Sequence, residues 1–176
     1  SPPAQGPWGA AYCSVTPKAN ALLESLLGDC VGDIFQLTSS TCLGLKITHP
    51  NPTEIGADRL ANAIAVQTYH ETPAIVIDLG TATTFDVVGS QSGYLGGVIA
   101  PGLAMMTEYL AERTALLPKL DPILSIPESL VGRSSREAIQ LGCSLGFPAM
   151  VRGILEKVQT ELANREGKEP GVILTG

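Results

Sequence analysis

The chain predicts a mixed α/β fold, and three observations carry that expectation. Its 176 residues are 44% hydrophobic, enough to bury a substantial core in one ordinary domain or two small lobes. Apolar periodicity switches repeatedly between the strand and helix repeats, giving strand–helix–strand, then helix, a three-strand meander, helices and a last strand. A β-branched run, Ile75-Val76-Ile77, ends in Asp78, Gly80 and the threonines 81, 83 and 84, the composition of a buried strand entering a tight turn.

Taken in order, residues 1–8 are proline-rich and read as an irregular start, and Gly9 to Val15 is a short apolar strand. Thr16-Pro17 opens a helix with apolar positions at Leu22, Leu23, Leu26 and Leu27 and a stop at Gly28. Ile34 to Leu37 is a strand, and residues 38–53 are a connection broken by Pro50-Asn51-Pro52. Thr53 is the expected cap of a helix from Glu54 to about Tyr69. Ala74–Ile77, Thr83–Val88 and Tyr94–Ala100 form the meander, with a hairpin turn at Gly89–Gly93. A helix follows from about Leu103 to Leu116, then a loop over 118–127. From Glu128 to Ala163 the pattern is helical, with expected breaks at Gly132 and near Pro148, and residues 171–175 are a final strand.

Charge and composition exclude several classes. The net charge is -6, and the 11 lysines and arginines form no cluster, which argues against nucleic acid as a partner. Cys13, Cys30, Cys42 and Cys143 show no metal spacing and read as small buried hydrophobes of a reducing compartment. No apolar run is expected to approach the roughly 18–20 residues of a membrane span. The N-terminus lacks the pattern of a secretion signal, so a cytoplasmic protein is the expectation.

Two clusters can carry chemistry. In Asp78-Leu79-Gly80-Thr81-Ala82-Thr83-Thr84, Gly80 permits close approach of backbone to phosphate. The threonines can donate to phosphate oxygens, and Asp78 can hold a metal ion. The competing reading is a hairpin with Thr for strand propensity and Asp for the turn. Gly56-Ala57-Asp58-Arg59 opens a helix. Asp58 there can accept a proton from a substrate hydroxyl, and Arg59 can hold a carboxylate or phosphate. From the tetrapeptide alone the simpler account is that Asp58 complements the helix dipole. Gly96-Gly97 inside a strand and Pro101-Gly102 at its end mark a bulge or close approach, or tight strand–helix packing. Ser134 and Ser135 precede a helical run, and an N-cap serine is the simple reading.

Together these motifs resemble the type III pantothenate kinases, in order and with near-family spacing. They are Asn51-Pro52-x-Glu54-x-Gly56-Ala57-Asp58-Arg59, Asp78-x-Gly80-Thr81-Ala82-Thr83-Thr84-Phe85-Asp86, and Gly96-Gly97-x-Ile99-x-Pro101-Gly102. Ala111-Glu112-Arg113-Thr114-Ala115-x-Leu117-Pro118, Gly132-Arg133-Ser134-Ser135 and Leu174-Thr175-Gly176 fit as well. The resemblance implies an actin-like fold of two ribonuclease-H-like lobes: the remainder of the first lobe over 9–50, and the second, with the pantothenate site, over 51–176. It implies ATP-dependent phosphorylation of pantothenate in coenzyme A synthesis, by a homodimer using Mg²⁺ and a monovalent cation, K⁺ or NH₄⁺.

By the same resemblance Asp58 is the general base, and Gly56, Ala57, Arg59, His49 and Ile99 surround pantothenate. Ser135 reaches it from the dimer partner. Gly80, Thr81, Thr83 and Thr84 serve the ATP phosphates and Asp78 the metal. The family's opening Asp-x-Gly-Asn-Thr loop has no counterpart here, so the first lobe is expected to be incomplete. The alternative is a non-catalytic relative that binds pantothenate or nucleotide as a regulator, like the Bvg accessory factor branch.

Overall fold

The computed structural model describes residues 9–28, 31–120 and 129–176, so the expectations for 1–8, for Cys30 and for most of the 118–127 loop lie outside the described residues. The elements in chain order are β1 (Gly9–Cys13), α1 (Pro17–Gly28), β2 (Asp33–Leu37), a short 3₁₀ turn (Pro52–Glu54) and α2 (Ala57–Tyr69). Then come β3 (Ala74–Leu79), β4 (Ala82–Gly89), β5 (Gly93–Pro101), α3 (Leu103–Arg113), α4 (Ser135–Glu166) and β6 (Gly171–Thr175). The mixed α/β class and the element order are as the hydrophobic pattern predicts.

The chain divides into two compact units. One holds the residues up to Thr72 with Asp86–Gly96; the other holds Pro73–Phe85 with Gly97–Gly176. β4 and β5 therefore contribute to both.

In the first unit, β1 and β2 pair in parallel from Gly9↔Asp33 to Cys13↔Leu37, with α1 as the crossover that parallel pairing requires. An isolated bridge links Ile47 to Tyr94, with Tyr94 N–H donating to the Lys46 carbonyl at 2.8 Å and Thr48 N–H to the Tyr94 carbonyl at 2.9 Å. Gly93 in that turn has φ +69° and lies against the Lys46 backbone, so any side chain would collide there. α2 buries Leu60, Ala63 and Val66, three of the positions its periodicity marks.

In the second unit, β3 pairs in parallel with β6 from Ala74↔Gly171 to Asp78↔Thr175. The sheet order is β5-β4-β3-β6. β3 is buried on both faces from Ala74 to Ile77, which is why it reads as a continuous apolar run rather than an alternating one. α3 and α4 pack through Leu120, Ile139 and Cys143 with Leu103, Met106, Leu110 and Leu117.

The structure corrects five expectations. Cys13 is exposed and Cys42 half-buried, so among the described cysteines Cys143 is the one buried as expected. Thr53 does not cap α2; it lies in the 3₁₀ turn, and α2 starts at Ala57 after Gly56. Pro52 at the start of that turn and extended Ile55 delay the helix by one turn. α3 ends at Arg113, before the expected Leu116, because Thr114 is already extended. The region after Gly132 is one 32-residue helix and not several, with Pro148 inside it. A proline removes one helical hydrogen bond, and burial of Ile139, Leu141, Cys143 and Phe147 on the turns before it keeps the helix whole. That length matters for the last correction. Among the described residues one helix, Ser135–Glu166, is long and apolar enough to cross a membrane by length and composition, with a window of mean hydropathy 1.3. A core helix of a folded protein passes the same test.

Candidate functional site

Of the residues expected around the acceptor, His49 and Gly56 to Arg59 lie in the first unit, and Ile99 and Ser135 lie in the second. Gly56 is the N-cap with φ −58° and ψ 142°, and Ala57, Asp58 and Arg59 form the first turn. The Arg59 backbone N–H donates to Asp58 Oδ1 at 2.8 Å, which folds the carboxylate back over the turn while Asp58 stays exposed. A Cβ at Gly56 would run into that same oxygen. Glycine is therefore required so that Asp58 can hold this orientation.

Arg59 is held from another direction. Its Nε donates to Asp86 Oδ1 at 2.6 Å, and its side chain is 15% exposed against 0% for Asp86. Tyr94 Oη donates to the same Oδ1 at 3.1 Å, and Asn62 Nδ2 donates to Oδ2 at 3.4 Å. The guanidinium carbon lies 5.8 Å from the Tyr94 ring centroid. Burial pushes the Asp86 carboxyl above its ordinary value, against the opposing pull of Arg59. Tyr94 is raised by burial first and then by the neighbouring Asp86 charge. One nitrogen of the group, Arg59 Nη2, is buried without an acceptor.

His49 lies in the same unit. His49 Nδ1 lies 3.1 Å from the Asn51 backbone nitrogen and 3.0 Å from the Asn51 carbonyl oxygen, which fixes the ring over this turn. Gly96 has φ +121°, and its missing side chain leaves room for His49 Cδ2. A polar cavity of about 470 Å³ adjoins the α2 turn, lined by Thr53, Glu54, Gly56, Ser14, Thr38 and Ser40 among others.

The residues expected to serve phosphate, Asp78 to Thr84, are in the second unit. Asp78 is half-buried at the C-terminal end of β3, the end where ligands collect in open α/β sheets. Gly80 and Thr81 are exposed in the turn that follows. Gly80 N–H donates to the Ala82 carbonyl at 3.1 Å, and Gly102 N–H donates to the Thr81 carbonyl at 3.0 Å. A Cβ at Gly102 would strike the carbonyls of Gly80 and Thr81, so the Pro101-Gly102 signal is tight packing of the α3 start on this turn. Gly176, with φ +119°, rests on the Leu79 backbone. Thr83 is fully buried on the same β4 face as Phe85, so its hydroxyl is not presented to a ligand in this conformation. The Thr83 and Thr84 hydroxyls are both buried without partners.

Ile99 on β5 is 64% exposed, and Ser135 is exposed at the first residue of α4. Ser134 is the N-cap: its Oγ accepts from Glu137 N–H at 3.2 Å, while Glu137 Oε2 accepts from Arg133 N–H at 2.7 Å. The simple reading of the serine pair is right for Ser134 and leaves Ser135 available. Ser135 borders an apolar groove of about 860 Å³ between α3 and α4, with Met105, Tyr109, Leu117 and Ile139.

Sequence reasoning missed Asn62 and Tyr94 as partners of the Arg59 group, and the hydroxyls of Ser14, Thr38 and Ser40 beside the α2 turn. Only the Asp86 that closes the Thr84-Phe85-Asp86 motif was in view. Among the described residues no three His, Cys, Asp or Glu side chains gather as a metal cage.

These features define an α/β protein with an acid-bearing helix start in one unit and an acid-bearing strand turn in the other. The profile of the type III pantothenate kinases matches residues 3–157, and the chain belongs to that family. It is 45% identical over 150 residues to the type III pantothenate kinase of Methylacidiphilum infernorum, covering 85% of this chain and 54% of that one. To the enzyme of Akkermansia muciniphila it is 44% identical over 167 residues, covering 95% and 65%. To that of Acidothermus cellulolyticus it is 37% identical over 175 residues, covering 98% and 66%. The chain thus spans between half and two thirds of the length of these curated relatives. A Baf family protein of Campylobacter jejuni, known from its crystal structure, superimposes with a TM-score of 0.55 at 19% identity, covering 82% of this chain and 62% of that one. At that identity the likeness carries the fold alone.

Proposed function

We propose that the intact protein transfers the γ-phosphoryl group of ATP to the primary hydroxyl of pantothenate, giving 4′-phosphopantothenate, the first step of coenzyme A synthesis. The observation that carries this is the α2 start: an exposed Asp58 carboxylate oriented by backbone, next to an arginine held by buried partners. Pantothenate has an alcohol at one end and a carboxylate at the other. Asp58 takes the hydroxyl proton as the nucleophile attacks, and Arg59 holds the carboxylate. Gly56 keeps the base in place, with Ala57 and His49 beside it. Phosphoryl transfer asks mainly for positioning and charge neutralisation, which suits a site with no covalent nucleophile.

On the phosphate side, Gly80 and Thr81 offer exposed backbone and hydroxyl to the ATP phosphates, and Thr83 and Thr84 follow on β4 with buried hydroxyls. Mg²⁺ commonly takes one or two carboxylates and completes its shell with phosphates and water, so the single half-buried Asp78 fits it. The ion would supply neutralisation of phosphate charge there, with K⁺ or NH₄⁺ as the monovalent cation. The two units are the lobes of an actin-like kinase, the protein is a cytoplasmic homodimer, and Ile99 lines the pantothenate pocket. In that dimer, Ser135 of one protomer contacts the pantothenate of its partner.

The test is Asp58→Asn in the intact protein, assayed with pantothenate, Mg-ATP and K⁺. Turnover is expected to fall by about 10²–10⁴-fold with the circular dichroism spectrum unchanged. Normal turnover in the variant removes Asp58 as base. Calorimetric binding of pantothenate by the wild type with no product under any cation makes the protein a binding relative.

A further inference from the structure

The Arg59 group contains more buried polar machinery than an exposed salt bridge needs. Asp86 is wholly buried, and both of its oxygens are engaged: Oδ1 by Arg59 Nε and Tyr94 Oη, Oδ2 by Asn62 Nδ2. A carboxylate fixed on both oxygens cannot rotate. It presents one oxygen to one nitrogen of the guanidinium, and it leaves the remaining N–H groups for something else. Arg59 Nη2 is buried without an acceptor and out of reach in this conformation, so the part of Arg59 open to an acceptor is the 15% of its side chain that stays exposed. An arginine recognises a carboxylate best when its planar fork is already oriented.

We propose that Asp86 is a positioning residue that sets the recognition of the acceptor's carboxylate by Arg59, with Tyr94 and Asn62 fixing Asp86 in turn. This rests on the reading of Arg59 as the anchor of pantothenate. It extends the site to three residues that do not touch the substrate, and it explains why the Thr84-Phe85-Asp86 motif ends in an acid. Asp86 acts on the ground-state grip of one substrate, so its loss should appear in one Michaelis constant and not the other.

The experiment compares Asp86→Asn, Arg59→Ala and the double variant in the intact protein, with KM measured separately for pantothenate and for Mg-ATP. Asp86→Asn is expected to raise KM for pantothenate by about tenfold, the size of one hydrogen bond to a charged group, with KM for Mg-ATP unchanged. In the Arg59→Ala background the same change should add nothing, because the residues act as one unit. Tyr94→Phe, which keeps the ring and removes one bond to Asp86, should move KM for pantothenate in the same direction by about threefold, and it serves if Asp86→Asn does not fold.

An unchanged or lowered KM for pantothenate in folded Asp86→Asn, alongside a raised one in Arg59→Ala, overturns the proposal. So do equal losses for both substrates, or additivity in the double variant, since these mark a residue that only supports the fold. If Arg59→Ala itself leaves KM for pantothenate unchanged, the reading of Arg59 as anchor fails, and the positioning role fails with it.

Discussion

Asp58 and Arg59 are sequence neighbours held by opposite means. Asp58 is exposed and oriented by the N–H of the next residue, whereas Arg59 is drawn inward to Asp86. Gly56 connects the two, because a side chain there would displace Asp58 Oδ1 and leave the helix itself untouched. Gly56→Ala is therefore expected to lower turnover by at least tenfold while the melting temperature shifts little, checked by assay and thermal denaturation side by side. Gly102→Ala should behave differently, since its obstacle is the Gly80–Thr81 backbone: stability and turnover should fall together.

The buried Asp86 also has a pH signature. Its folded value is raised above the ordinary 3.8 because burial outweighs the pull of Arg59, Asn62 and Tyr94. Through the window above 3.8 the folded state keeps a proton that the unfolded state has released, so this group's contribution to stability falls as pH rises. In urea unfolding, Asp86→Asn should accordingly gain stability relative to wild type as pH rises from 4 through that window. A gap that widens the other way contradicts the burial account.

At the level of elements, α4 shows which local signals survive and which are overridden. Its start follows the capping rule: Ser134 and Glu137 form a reciprocal pair with Arg133 and Glu137 backbone donors. Ser134→Ala should cost about 1 kcal/mol in denaturant unfolding, with Ser135 unaffected in sequence but less firmly held. Its middle does not follow the breaker rule, since Pro148 sits inside a continuous helix. α2 illustrates the opposite case, where Thr53 has the chemistry of a cap but a 3₁₀ turn intervenes and Gly56 takes the position. Hydroxyl chemistry alone cannot tell a cap from a turn, because both satisfy the same backbone donors.

For the whole molecule, the α3–α4 groove is an apolar surface feature that borders a proposed site residue. Tyr109 is 59% exposed there and Met105 43%, beside Ser135. Continuous apolar surface of this kind favours a partner, and in the proposed homodimer Ser135 would lie near the second copy's site. The intact protein is expected to sediment as a dimer, and Tyr109→Asp to shift it toward monomer with loss of pantothenate turnover. A monomeric wild type with full turnover would remove the partner role of Ser135.

The sequence by itself determined the α/β class, the order of elements, the family, and the two acid-bearing turns. Those properties are written in short-range patterns: apolar period, Gly and Pro punctuation, and residue types at fixed spacing. Tertiary structure alone decided that Thr83 is buried, since alternation along β4 gives two faces but not which one is covered, while Thr81 lies before the strand in the exposed turn. It alone joined Arg59 to Asp86, Asn62 and Tyr94. Those residues meet through long-range pairing of β4, β5 and α2, and no local pattern specifies which buried charge will find which partner.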